Sequence, residues 1–196
     1  IDGFDYAKVR NPGYVPTRRL TREEYNRTIR DLVGLDLRPA DEFPMDFSGT
    51  SGFSNSANTL FLQTAHLDRY FTSAEGVIDE VRADEKAWKK LLGSPRDAAT
   101  AITEMMRRAY RRPPTHTETK EIIARYEAEL EKKKSQDEAL ANAFKAILVS
   151  PNFLLRVENS IATAKDQGVS DFDLATRLSY FPVSYTHLTL PTNGLV

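Results

Sequence analysis

The residues with the best claim to chemistry lie in the tract from Asp46 to Asn55, which reads DFSGTSGFSN. Asp46, Ser48 and Asn55 put oxygen-bearing side chains at close spacing, the pattern by which a loop holds a hard cation such as Ca²⁺. Such an ion takes about six to eight oxygens. Here one carboxylate is joined only by weaker hydroxyl and amide ligands, and no bidentate Glu follows at EF-hand spacing. A turn-rich connector, with Phe53 filling a gap between helices, is therefore the plainer reading.

A second group is Arg107, Arg108, Arg111 and Arg112, at neighbouring positions of one expected helix end. Guanidinium forks clamp phosphate or carboxylate, but positive charge also complements the negative end of a helix dipole. Glu118, Glu121, Glu127 and Glu129 follow as ready partners, which favours the structural account. His66 and His116 stand alone, without a second His or an acidic cluster at ligand spacing. No nucleophile elbow is present. The carboxylate pairs Glu23/Glu24 and Asp84/Glu85 are adjacent in sequence and so do not face each other on a helix. No catalytic, cofactor-binding or metal-ligating constellation emerges from these residues.

Composition narrows the field further. The 27 Lys+Arg against 28 Asp+Glu leave a net charge of −1, so no global field draws nucleic acid. With no cysteine, disulfides, thiolate metal sites and a covalent CxxCH haem site are excluded from these residues. No apolar run approaches the roughly 18 residues of a membrane span.

The elements that must position these side chains read as helices. Thr21 and Glu24 form a capping box, Leu20 and Tyr25 a hydrophobic staple, and Gly34 stands where a helix ends. Residues 35–58 form a long loop of the kind that often carries function. A second helix is expected from near Thr64 to near Val81, with Leu67, Tyr70, Phe71, Ala74, Val77, Ile78 and Val81 as its apolar stripe. Ser94 and Pro95 are expected to open the next helix, which Pro113 and Pro114 stop. Thr115/Glu118 and Ser135/Glu138 are further capping boxes, opening helices near 116–133 and 136–149. Ser150-Pro151 begins a short turn, and Asp171 opens a last helical pattern. No segment alternates long enough to argue a sheet.

The expected fold is all-α: two small helical domains joined by a linker, at 17–83 and 94–159, after an irregular lead-in over 1–16. Residues 171–181 read as the start of a third domain. From 182 to 196 the stripes, caps and charges vanish. Reverse translation of Val183 to Thr192 reproduces a transposase-type sequencing adapter read in frame, so native sequence is expected to end near Phe181. Tyr185 and His187 would then carry no functional information.

The stretches RRLTREEYNRTIRDLVGLDL, FPMDFSGTSGFSN and LDRYFTSAEGVID resemble a small domain of planctomycete-type cytochrome-c-associated multidomain proteins. AITEMMRRAYRRPPTHTETKEIIARYE and FKAILVSPNFLLRVE resemble a domain that follows it there, and DFDLATRLSYF is similar to the opening of a third. The family's loop is commonly more acidic than DFSGTSGFSNS. The resemblance implies a large, exported (for instance periplasmic) protein built from domains of unknown function. It implies covalent haem c only on a linked domain, with no cofactor in this fragment, and makes the other domains of the parent chain the expected partners. The expected role is structural or interactive. The alternative is one helical wall of a redox or polysaccharide-related enzyme site completed by C-terminal domains. Carbohydrate binding would want exposed aromatic platforms, and Trp88, the only Trp, sits in a Lys-rich amphipathic turn.

Overall fold

The computed structural model of the chain describes residues 16–47, 60–93, 97–157 and 170–180. They fall into two compact units, Arg18–Arg156 and a second unit formed by the terminal segments. In the first unit the order is β1 (Arg18–Arg19), α1 (Arg22–Val33), a 3₁₀ turn (Pro39–Glu42), α2 (Thr64–Ala83), α3 (Glu85–Leu92), α4 (Ala98–Tyr110), α5 (His116–Glu131), α6 (Gln136–Leu148), α7 (Pro151–Leu154) and β2 (Leu155–Arg156). The chain is mostly helical, as its periodicity predicts. Among the described residues the exception is one two-residue antiparallel ladder, Arg18 opposite Arg156 and Arg19 opposite Leu155. Two residues per strand are too few to leave a period-two signal in the sequence.

Helix boundaries follow local chemistry. Thr21 accepts from the Glu24 amide while the Glu24 carboxylate returns to the Thr21 amide, and Thr115 and Glu118 do the same for α5. At α6 only half the expected box forms: Ser135 accepts from the Glu138 amide, while Glu138 turns toward Lys134 at 3.6 Å. The cap of α4 is Asp97, whose carboxylate accepts from the Thr100 amide at 2.8 Å. This corrects the expectation of Ser94, which lies with Pro95 outside the described residues. A carboxylate is also the better match to the positive end of a helix dipole. Lys-rich EKAWKKLL, expected as a turn, is a full helix of 8 residues capped by Asp84.

α1 ends at Gly34, which holds φ +79° and donates its amide to the Arg30 carbonyl at 2.8 Å. A Cβ there would meet Lys90 Nζ at 3.0 Å, a flexible neighbour, so backbone strain dominates the cost of adding one. Gly34→Ala is expected to lose about 1–2 kcal/mol in a urea melt. Gly34→Asn should lose less, since Asn tolerates the left-handed region.

The aromatic centre of the core gathers around Tyr25. Its ring lies 5.2 Å from Phe43, 5.4 Å from Tyr70 and 5.8 Å from Phe153. Its hydroxyl pairs with Ser73 Oγ at 3.0 Å. α2 presents Tyr70, Ala74, Val77, Ile78 and Val81 inward as expected, but Leu67 and Phe71 are 38% and 57% exposed. His66 and Ser73 are buried instead. The positions 66, 70, 73, 74, 77, 78 and 81 form one stripe at spacings of three and four, so placing two polar residues in it turns the flanking Leu67 and Phe71 outward.

In the second unit α8 (Asp171–Tyr180) is described. Ser170 Oγ accepts from the Asp173 amide at 3.1 Å and donates to the Asp173 carboxylate at 2.7 Å, fixing the start of the helix. Phe172, Leu174 and Leu178 on it are exposed.

Candidate functional site

Asp46 is the one member of the expected binding loop that the structure describes; Ser48 and Asn55 lie outside the described residues. Its Oδ2 accepts the Arg22 amide at 2.7 Å, at the first turn of α1. Its Oδ1 lies 2.7 Å from Arg19 Nη1 in a buried ion pair. Asp46 thus answers two positive groups at once, a helix N-terminus and a buried guanidinium.

Around that pair lies the most polar part of the core. Arg19 and His66 are both buried, and so is Tyr70, whose ring centroid is 6.4 Å from that of His66. Neither His66 nitrogen has a hydrogen-bond partner, nor has Arg19 Nε. Burial pulls the His66 pKa below its ordinary 6.5, Arg19 pulls it further down, and Asp46 opposes both. Burial likewise pushes the Tyr70 hydroxyl up, to about 12. Folded His66 is therefore neutral near pH 7. The sequence carried no sign of this: an isolated His inside an apolar stripe has no partner spacing to betray it.

The consequence has a definite sign. In the unfolded chain His66 takes up a proton as pH falls through about 6.5, while the folded state resists doing so. Its contribution to stability is thus present above pH 6.5 and is lost progressively below it, down to the depressed folded value. His66→Leu also removes two desolvated, unpartnered nitrogens. We expect the variant to melt no lower than the parent at pH 8, and its stability to fall less between pH 7 and 5. A steeper loss than the parent's over that range would contradict this.

The arginine group does not converge. Arg107 meets Glu104 at 3.1 Å on its own helix. Arg108 reaches the Leu32 carbonyl at the C-terminal end of α1. Arg111, itself at φ 60°, donates to the carbonyls of Asn152, Phe153 and Leu155 at 3.2, 3.0 and 3.3 Å. Arg112 forks onto Glu118 at 2.7 and 3.0 Å and reaches the Asn152 amide oxygen at 3.1 Å. Arg112 is the main cause of the fall of the Glu118 pKa to about 2, and Thr115 adds to it. Three of the four side chains join elements far apart in sequence. Tyr110 between them is buried in the core. His116 is an exposed first-turn residue of α5.

An open groove of about 280 Å³ runs between the 3₁₀ turn and α2, floored by Phe43 and Val77, with Arg69 and Glu42 on its rim. Its Ser73 hydroxyl pairs with the Tyr25 hydroxyl at 3.0 Å. Among the described residues no three His, Cys, Asp or Glu side chains converge to hold a metal ion. Among the same residues no helix is long and apolar enough to cross a membrane.

Comparison with known families divides the chain in two. Residues 18–83 match a family model described as PSD3, protein of unknown function (DUF1587). Residues 97–158 match a second, described as PSD5, protein of unknown function (DUF1595). No curated protein and no solved structure matches the chain. The chain therefore carries two adjoining domains of unknown function, which is the coarser part of what the resemblance implied.

Proposed function

We propose that these helices are a non-catalytic structural and interaction part of a larger, exported, haem-c-linked bacterial protein. One observation supports this above the others. The side chains best able to do chemistry are spent on joining elements: Asp46 on α1, Arg108 on the end of α1, Arg111 on α7 and β2, and Arg112 on α5. The resemblance of 17–181 to cytochrome-c-associated multidomain proteins supports the setting in a larger parent chain, while the two matched families are of unknown function. Any haem, redox or polysaccharide chemistry would then belong to linked domains, and the partners of this part would be those domains.

The test compares the full-length native protein with residues 17–159 alone. On this reading, redox activity or polysaccharide turnover appears with the full protein and is absent from the piece, while the piece stays folded. Turnover or small-ligand binding by the isolated piece would overturn it. A second reading takes the open groove beside α2 as one wall of an enzyme site completed by other domains. Its mark would be a loss of kcat in the full protein on Gly76→Trp, a change that fills the groove without touching the core; a built Cβ at Gly76 meets nothing within 4 Å.

A further inference from the structure

We propose that the segments matching two separate family models are one cooperative folding unit, each being the docking partner the other requires. The surface offered to the rest of the parent protein is then a composite of both.

Independent neighbouring domains meet through polar interfaces that open readily. The boundary here has the make-up of a core. Tyr25 of α1 packs edge-on against Phe153 of α7 at 5.8 Å, and Trp88 of α3, in the link between the matched segments, packs edge-on against Phe144 of α6 at 5.7 Å. Phe144 and Phe153 are both 0% exposed, and Trp88 is 8% exposed. Separating the segments would bare these rings together with Leu20 and Leu154, which are buried beside the ladder.

The backbone crosses the boundary too. β1 belongs to the first segment and β2 to the second, and beside their ladder the Leu20 amide donates to the Leu154 carbonyl at 3.2 Å. Parting the segments leaves these groups without protein partners on a strand of two residues, which cannot persist alone. The polar ties follow the same line. Asp137 of α6 accepts from the Trp88 indole at 2.6 Å and from Arg82 at 3.0 Å. Lys145 of α6 meets Asp79 of α2 at 2.8 Å, and Arg108 of α4 caps the end of α1 at Leu32.

This gives the RRAYRRP stretch a role. Arg111 gathers the carbonyls at the end of α7 and so shapes the turn that presents β2 to β1. The covalent link over 84–96, which includes α3, keeps the effective concentration of one segment near the other high, on the order of millimolar. Apolar burial, shared backbone pairing and tethering all favour the joined state.

The experiment uses the full chain and amide hydrogen exchange read by mass spectrometry. Ile122 of α5 is buried in the second segment, and α5 packs on α4 and α6 rather than on the first segment. Ile122→Val should lower the protection of the slowest amides in α5 and α6 by roughly two- to tenfold. If the unit is cooperative, the slowest amides of α1 and α2 fall by the same factor. Protection in α1 and α2 left at the parent value while α5 and α6 weaken would overturn the proposal. The reciprocal change, Ile29→Val in α1, must likewise carry through to α6. A second readout guards against a variant that unfolds outright. In the unaltered chain, urea transitions followed by Trp88 fluorescence and by far-ultraviolet circular dichroism must share one midpoint, and two separated midpoints would also sink it.

Discussion

Phe144→Ala is expected to cost about 3–5 kcal/mol, the largest loss of any single truncation in this core. The ring is 0% exposed, it sits in the middle of α6, and it is the surface on which Trp88 rests. Two costs add. The transfer free energy of a buried phenyl ring is forfeited, and the surrounding helices cannot close fully over the hole. Against a typical total of about 5–15 kcal/mol for a domain, such a loss removes a large share of the stability. Trp88 makes the measurement direct: being the only Trp, its emission during a urea melt reports this contact. The midpoint should fall steeply and the native emission should shift to the red as the indole loses its apolar neighbour. Phe144→Leu, which keeps most of the volume, should cost less than half as much. A loss below about 1 kcal/mol for the alanine variant would mean that α6 slides to fill the space, and a tightly packed Phe144 would be ruled out.

Glu24→Gln is expected to be nearly as damaging for an electrostatic reason. The Arg18 guanidinium forks onto both Glu24 oxygens at 2.6 and 2.7 Å, and the two side chains are only 6% and 11% exposed. Glu24 also closes the α1 capping box by accepting the Thr21 amide at 2.8 Å. Glutamine keeps the shape but leaves Arg18 as a desolvated charge without its counter-ion, a change that typically costs about 3–5 kcal/mol. Removing both charges with well-packed apolar residues, Arg18→Met with Glu24→Leu, should recover much of that loss. Acid gives an independent check. Burial alone would raise the Glu24 pKa, but the hydrogen bonds and charge of Arg18, the Thr21 amide and the charge of Arg156 together hold it below 4.5. A carboxyl depressed in the folded state contributes stability above its unfolded value, near pH 4.5, and loses it as pH falls through the folded one. The gap between parent and variant should therefore be full at pH 7 and shrink below pH 4.5. A gap that is constant down to pH 3 would mean that Glu24 acts only through shape.

Particular elements show how far local sequence reaches. The capping boxes at Thr21 and Thr115 and the stop at Gly34 were legible because each rule spans about four residues and involves only the chain's own backbone. The all-helical character followed from apolar spacing for the same reason. Where a local rule had two solutions, it chose less well. Both Ser94 and Asp97 can cap α4, and the carboxylate does so. On α2 the apolar count drew the stripe through Leu67 and Phe71, whereas the buried face runs through His66 and Ser73. That choice rests with what lies opposite the helix: Ser73 meets the Tyr25 hydroxyl from a residue 48 positions away.

By itself, then, the sequence determined where α1 begins and ends and where α5 begins, that these residues carry no cysteine chemistry, and that the net charge offers nucleic acid no general attraction. Tertiary structure decided what the reactive-looking side chains do. Asp46, weighed as a cation ligand but read more plainly as part of a connector, is held by an amide and a guanidinium, and the four neighbouring arginines part toward separate partners. Only the fold brought α3 onto α6, or paired Arg18–Arg19 with Leu155–Arg156 across more than a hundred residues. The reason is the range of the forces involved. Caps and helical stripes are settled by interactions within a turn or two, whereas partners for a buried charge or ring exist only after distant segments have met.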